Sequence, residues 1–279
     1  MFNILKAILF GLVEGVTEWL PVSSTGHMIL LNEFIKLDVS GEFWKMFLVV
    51  IQFGAILAVI LLYWKTIWPV RKSQKTGEHY VSRKTISLWI KTIAACIPAA
   101  VVGLALDDWL DEHLYNWWVV AGMLILIGLV FLFLERRNAG REARVTSLED
   151  LTMKDALIIG LFQLLAAVFP GTSRSGATII GGLSIGVSRK IAAEFTFILA
   201  IPVMLGASLL KIIKFFARGG YFSGMEVAIL LTGMLVAFFV SVVIIRFLMD
   251  YIRKHDFKPF GIYRIGLGLA VILYFSLFH

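Results

Sequence analysis

Six stretches of the chain are apolar over roughly the length of a bilayer-spanning helix: 47–64, 86–106, 117–134, 191–215, 226–248 and 261–278. A span needs about 20 mostly apolar residues, and its backbone polar groups must be satisfied within the segment because hydrocarbon offers them no partner. A chain with six such stretches is therefore expected to be an all-α integral membrane protein. Composition agrees, with 59% apolar residues, 16% charged residues and a mean hydropathy of +0.87, far from the balance of a water-soluble domain. The N-terminus carries no basic n-region or small-residue cleavage site, so no cleavable signal peptide is expected. Cys96 stands alone within an apolar stretch, which argues against disulfides and thiolate metal sites. Lys and Arg gather at the ends of apolar stretches, where membrane topology accounts for them, so a nucleic-acid partner is not indicated.

Charge gives the orientation. Lys65, Arg71, Lys72, Lys75, Arg83 and Lys84 flank one connection, RRNAGREAR follows at 136–144 and RKHDFK at 253–258, whereas DDWLDEH carries four acids and no Lys or Arg. The positive-inside bias makes the basic segments cytoplasmic and the acidic one external, which places both termini outside. Lys211, Lys214 and Arg218 argue against this scheme, since they fall near an external connection.

Two polar runs interrupt this apolar background. EGVTEWLPVSSTGH occupies 14–27 and PGTSRSGAT occupies 170–178. The surrounding sequence matches itself weakly at an offset of 149 residues, so that Gly11, Leu12, Pro21 and Ser24 fall on Gly160, Leu161, Pro170 and Ser173. The expected organisation is a first repeat over 1–134, a basic cytoplasmic linker over 135–154 and a second repeat over 155–279. Proline ends or kinks the helix before it, and broken backbone survives at membrane depth only inside the protein or against a water-filled cavity. Each run is therefore expected to form a re-entrant helix-loop-helix hairpin. With an odd number of spans per half, the second repeat is inverted, and the two hairpin tips meet near the midplane.

Glu14 and Glu18 share a helix face at i, i+4 spacing, where two carboxylates could hold a divalent cation or shuttle a proton. Ser23, Ser24 and Thr25 open a second half-helix whose N-terminus favours an anion. His27 lies three residues past Ser24 as a candidate acid or base. On the other tip Thr172, Ser173, Arg174 and Ser175 set a guanidinium among hydroxyls, a combination suited to phosphate. Intramembrane carboxylates and arginine are costly unless they serve a function. Thr17 and Thr178 are as well accounted for by local hydrogen bonds, and Arg264 by its place at a cytoplasmic span end. Acids, hydroxyls, an imidazole and an arginine together suit phosphoryl transfer. A secondary transporter or a flippase would use a similar frame, and a purely structural scaffold would leave the buried charges without a role.

These two runs, with VVIQFGAILAV at 49–59 and RKIAAEFTFILAIPVMLGAS at 189–208, resemble the bacterial undecaprenyl pyrophosphate phosphatases, also called bacitracin-resistance proteins. The resemblance implies hydrolysis of undecaprenyl diphosphate to the monophosphate, which recycles the lipid carrier for peptidoglycan and other envelope polymers. It also implies resistance to bacitracin, a divalent cation such as Mg2+ or Ca2+, a homodimer and a location in the bacterial inner membrane. Carried onto this chain, the family's acidic pair is Glu14 and Glu18, its serine and histidine are Ser24 and His27, and its arginine is Arg174. Ser24 is taken as the nucleophile, with His27 or an activated water as the alternatives, His27 or a glutamate as proton carrier, Glu14 and Glu18 as metal ligands or base, and Arg174 as the stabiliser of phosphate charge. Ser23, Thr25, Thr172, Ser173 and Ser175 complete the phosphate-binding set.

Overall fold

The computed structural model describes residues 2–73 and 77–278; Lys75 lies outside them, as do the side chains of Asp107, Asp108 and Asp111 from the acidic connection. The described chain forms ten helices and one small hairpin: α1 Phe2–Thr17, α2 Ser24–Phe34, α3 Gly41–Ile67, β1 Val70–Lys72, β2 His79–Val81, α4 Arg83–His113, α5 Trp117–Asn138, α6 Met153–Val168, α7 Arg174–Ser184, α8 Arg189–Ala217, α9 Gly224–Tyr251 and α10 Lys258–Phe278. Helices α3, α4, α5, α8, α9 and α10 are long and apolar enough to cross a membrane. Helices α3, α4, α8 and α9 run past their apolar stretches at both ends, and polar N-caps fix where five of the six begin. Ser40, Ser82, Asn116, Ser188 and Ser223 each accept a hydrogen bond from the third residue beyond, satisfying a backbone N–H that has no intrahelical partner. The β1–β2 pairing, Val70 opposite Val81, folds back the basic connection and was not apparent from the sequence.

The halves interleave. Helix α1 packs on α9 and α6 packs on α4, while α3 pairs with α8 and α5 with α10. Without a hydrophobic drive between helices in lipid, close approach rests on small residues. A Cβ on Gly11 would lie 2.6 Å from the Gly233 carbonyl oxygen, and one on Gly160 would lie 2.3 Å from that of Ala95. The two glycines that match across the 149-residue offset thus make the same kind of contact on opposite halves.

After the prolines the register changes. Ser23 and Ser173 are the two non-glycine residues with positive φ among those described, at 74° and 71°. They cap α2 and α7, accepting from the backbone N–H of Gly26 at 3.3 Å and of Gly176 at 3.1 Å. The structural counterpart of Ser173 is therefore Ser23, not Ser24, and Ser24 corresponds to Arg174. The shift arises because Gly171 and Thr172 separate Pro170 from its capping serine, whereas Val22 alone separates Pro21 from Ser23, and Gly171 with φ of 90° accommodates the extra residue.

The linker is docked rather than free. Arg144 N–H donates to the Gly186 carbonyl at 2.8 Å, Val145 bridges Val187, and Arg144 pairs with Asp155, which also receives the Thr152 backbone N–H and hydroxyl. Nearby, fully buried Glu135 accepts from Arg189 Nε at 2.9 Å and from Phe257 N–H at 3.0 Å, tying α5, α8 and the start of α10 together. At the other end Arg218 pairs with Glu42 at 3.0 Å, so one of the cations that opposed the charge-based orientation is balanced locally.

Candidate active site

Helix α1 ends at Thr17, yet the Glu18 N–H still bonds the Glu14 carbonyl at 3.0 Å, so the two glutamates keep helical spacing into the turn. Both are buried. The Ser24 hydroxyl donates to Glu18 Oε2 at 2.7 Å, and Arg174 Nη2 donates to Glu18 Oε1 at 2.9 Å. Ser175 Oγ donates to the Glu18 carbonyl at 3.0 Å. The two polar turns therefore meet, and Glu18 is the residue on which both converge.

Arg174 is set from three directions. Its Nη1 donates to the Thr196 carbonyl at 2.9 Å, and its guanidinium lies 5.6 Å from the ring centre of Trp19, itself packed edge-on against Phe197. Thr196 in turn donates to Thr178 Oγ1, which donates to the Arg174 carbonyl, each at 2.8 Å. Thr178 and Thr17, the latter bonded to the Val13 carbonyl at 2.6 Å, thus make the local bonds expected of membrane-helix threonines. Arg174 Nε is buried without a partner.

Of the remaining hydroxyls, Ser173 Oγ lies 3.0 Å from Ser175 Oγ, buried Thr172 Oγ1 has no partner, and Thr25 is half-buried beside Ser24. Each of the two turns opens a helix, so the first N–H groups of α2 and α7 lack intrahelical acceptors and face the junction as an anion-favouring pair of termini.

Glu14 lies against Glu18 and within the field of Arg174, with Oε1 unpaired. Two carboxyls against one guanidinium leave a negative charge that a proton or a cation would balance. Among the described residues no group of three or more His, Cys, Asp or Glu is placed to hold a metal ion. The protein thus offers a hard cation two carboxylates. Mg2+ keeps several waters and binds through one or two carboxylates plus substrate phosphates, a pattern these residues fit.

His27 departs from expectation. It does not reach Ser24; its Nδ1 lies 2.7 Å from the Ser23 carbonyl oxygen and its Nε2 lies 2.7 Å from the Tyr263 hydroxyl. Arg264 departs further. Rather than sitting at a span end for topology, it is fully buried and donates to the Pro21 carbonyl at 3.1 Å and to those of Gly171 and Thr172 at 2.8 and 2.9 Å. One guanidinium clamps both turns. Its only sequence signal is that α10 carries it beyond the charged start of an otherwise apolar helix.

The family model described as "Bacitracin resistance protein BacA" matches residues 7–270. The chain belongs to the bacitracin resistance protein BacA family. It is 58% identical to the undecaprenyl-diphosphatase of Desulfitobacterium hafniense over 99% of this chain and 97% of that protein. It is 53% identical to the undecaprenyl-diphosphatase of Enterococcus faecalis over 98% and 97% of the two chains, and 52% identical to that of Lactiplantibacillus plantarum over the full length of both. Within this BacA-family frame the glutamates, the hydroxyl runs and Arg174 all lie inside the matched region.

Proposed function

We propose that this chain hydrolyses undecaprenyl diphosphate to undecaprenyl phosphate and inorganic phosphate at the junction of its two polar turns. The observation that carries this is the Ser24–Glu18–Arg174 contact: a hydroxyl on a carboxylate that is itself held by a guanidinium. Glu18 is positioned to take the Ser24 proton as Oγ attacks the terminal phosphorus. The bond from phosphorus to the bridging oxygen then breaks, its electron pair leaving with the lipid monophosphate. Arg174, with Nε still unpaired, and the N-termini of α2 and α7 stabilise the charge on the phosphoryl oxygens. Water attacks the resulting phosphoserine, its proton going to the glutamate pair; the bond from phosphorus to Oγ breaks, Glu18 returns the first proton to Ser24, and inorganic phosphate departs. A divalent cation, held by Glu14 and Glu18 with the diphosphate, would neutralise phosphate charge there. His27 is assigned the proton that the leaving phosphate oxygen receives.

The two short helix pairs are read as re-entrant hairpins, since neither α1 and α2 nor α6 and α7 is among the six helices fit to span. Both termini are placed outside on the charge bias, so the first hairpin enters from outside and the site opens there. The homodimer rests on the family resemblance. Acid quenching during turnover of substrate labelled in the terminal phosphate tests the nucleophile: the label should be found on Ser24. Turnover that retains wild-type rate in Ser24→Ala would replace the serine by water. Transport as the sole activity would instead require sealed vesicles and leave phosphate unreleased in detergent.

A further inference from the structure

Because a carbonyl oxygen only accepts, the contact with Ser23 requires that His27 Nδ1 carry the hydrogen. Neutral imidazole then presents a bare Nε2, to which the Tyr263 hydroxyl donates at 2.7 Å. The two rings are parallel to within 4°, with centroids 5.6 Å apart. Tyr263 comes from α10, 236 positions along the chain from His27, and is 49% exposed. Its neighbour Arg264 is anchored on the carbonyls of both turns, so the position of Tyr263 is tied to the geometry of the site.

We propose that Tyr263 is the positioning residue of His27: it holds the imidazole in the Nδ1–H form and passes the proton that His27 takes up and releases during the reaction. This rests on the phosphatase reading above. A tyrosine hydroxyl both donates and accepts, and it changes role by rotating about one C–O bond. When Nε2 is bare, the hydroxyl donates to it. When Nε2 is protonated, the same oxygen accepts, its hydrogen turns away, and no heavy atom moves. An apolar or purely donating neighbour could not serve both states.

The surroundings say when the proton is taken up. From α10 His27 meets Tyr263 and, beside it, the Arg264 guanidinium. From α5 the facing residue against this turn of α2 is Leu124, which lies against Gly26. From the end of α1 the nearest charge is Glu18, which Ser24 and Arg174 already engage. On α2 itself Glu33 follows only at the far end. No carboxylate among the described residues pairs with the ring, so an imidazolium gains its counter-charge when the diphosphate arrives. Tyr263 then gives its proton to Nε2 and takes up one from bulk hydronium. As the bridging bond breaks, Nε2 returns its proton to the Tyr263 oxygen while the tyrosine hydrogen passes to the leaving oxygen, and both groups are back in their starting forms.

The test uses the full chain in detergent with 15N-labelled histidine, in wild-type, Tyr263→Phe, His27→Gln and doubly substituted forms. Phenylalanine keeps the ring and removes the hydroxyl. Expected are a kcat about tenfold lower at KM within about twofold, a displaced limb in the pH profile, and no further loss when Tyr263→Phe is added to His27→Gln. The Nε2 resonance that His27→Gln deletes should also move in Tyr263→Phe. Wild-type kcat and pH profile in Tyr263→Phe, or the same fold loss with and without His27, would overturn the proposal. Should wild-type protein release no phosphate, the phosphatase reading fails, and the resonance still decides: an unmoved Nε2 overturns the pairing itself.

Discussion

Replacing Arg264 by methionine removes the guanidinium at nearly constant volume and leaves the Pro21, Gly171 and Thr172 carbonyls without their donor. All three bonds are buried, so water is poorly placed to replace them. Leaving a buried acceptor unsatisfied costs about 1–3 kcal/mol, so three of them cost about 3–9 kcal/mol, and crediting about 1–4 kcal/mol for removal of an unfavourable buried charge leaves a net loss on the order of a few kcal/mol. The damage should be concentrated where the clamp acts. Because Arg264 holds both turns, their relative position loosens, and a displacement of about 1 Å at a reacting centre costs on the order of 100-fold in rate. Lysine in its place keeps the charge but lacks the planar fork, so it can satisfy only part of the set and should fall between. The assay is phosphate release beside thermal unfolding of the purified protein in detergent, with unfolding followed through the tryptophans. Arg264→Met protein that melts with the wild type and turns over within about twofold of it would refute the clamp.

Three further outcomes follow from other parts of the molecule. Ser173→Ala loses the cap on Gly176 while keeping the positive φ, and should cost about 1 kcal/mol; Ser173→Gly also loses the cap but relieves the backbone, so it should unfold later than the alanine variant in the same melting assay. Burial works to raise the Asp155 carboxyl, but hydrogen bonds from Arg144 and Thr152 outweigh it and hold the group below the usual carboxylate range. A depressed folded value means that its contribution is whole above the unfolded value, near pH ~4, and is lost as pH falls through the folded one. Limited proteolysis of the 139–152 segment should therefore accelerate in acid in wild-type protein, whereas Asp155→Asn should be cut readily at every pH. A bulky side chain at Gly160 has no room against the Ala95 carbonyl, and Gly160→Val should be recovered in markedly lower folded yield by size-exclusion chromatography than Gly103→Val, where the added Cβ meets nothing within 4 Å.

The parts of the fold that were legible in the sequence were those written in local pattern. Six apolar stretches became six long helices, and Pro21 and Pro170 each mark a break between short helices. Glu14, Glu18, Ser24 and Arg174 were legible because charges clustered with hydroxyls at membrane depth are too costly to persist without a task, and the structure brings them together. What escaped was set by contacts between distant residues. Arg264 looked like one more cation near a basic span end, since nothing local reveals that α10 lies across both turns. Tyr263 drew no notice because its partner is His27, on the first short helix pair. Spacing made His27 a neighbour of Ser24, yet three residues along α2 rotate it toward α10 instead. The one-residue shift that aligns Ser23 with Ser173 was hidden because an extra residue in a turn leaves helix periodicity intact on either side.

If one composite site, built from both polar turns, hydrolyses the lipid diphosphate, the purified protein in detergent should release phosphate from undecaprenyl diphosphate, and chelator should suppress that release. Glu18→Gln and Arg174→Ala, one from each half of the chain, should each lower it by at least about 100-fold. Folded wild-type protein that releases no phosphate, or variants that release it at the wild-type rate, would contradict such a site.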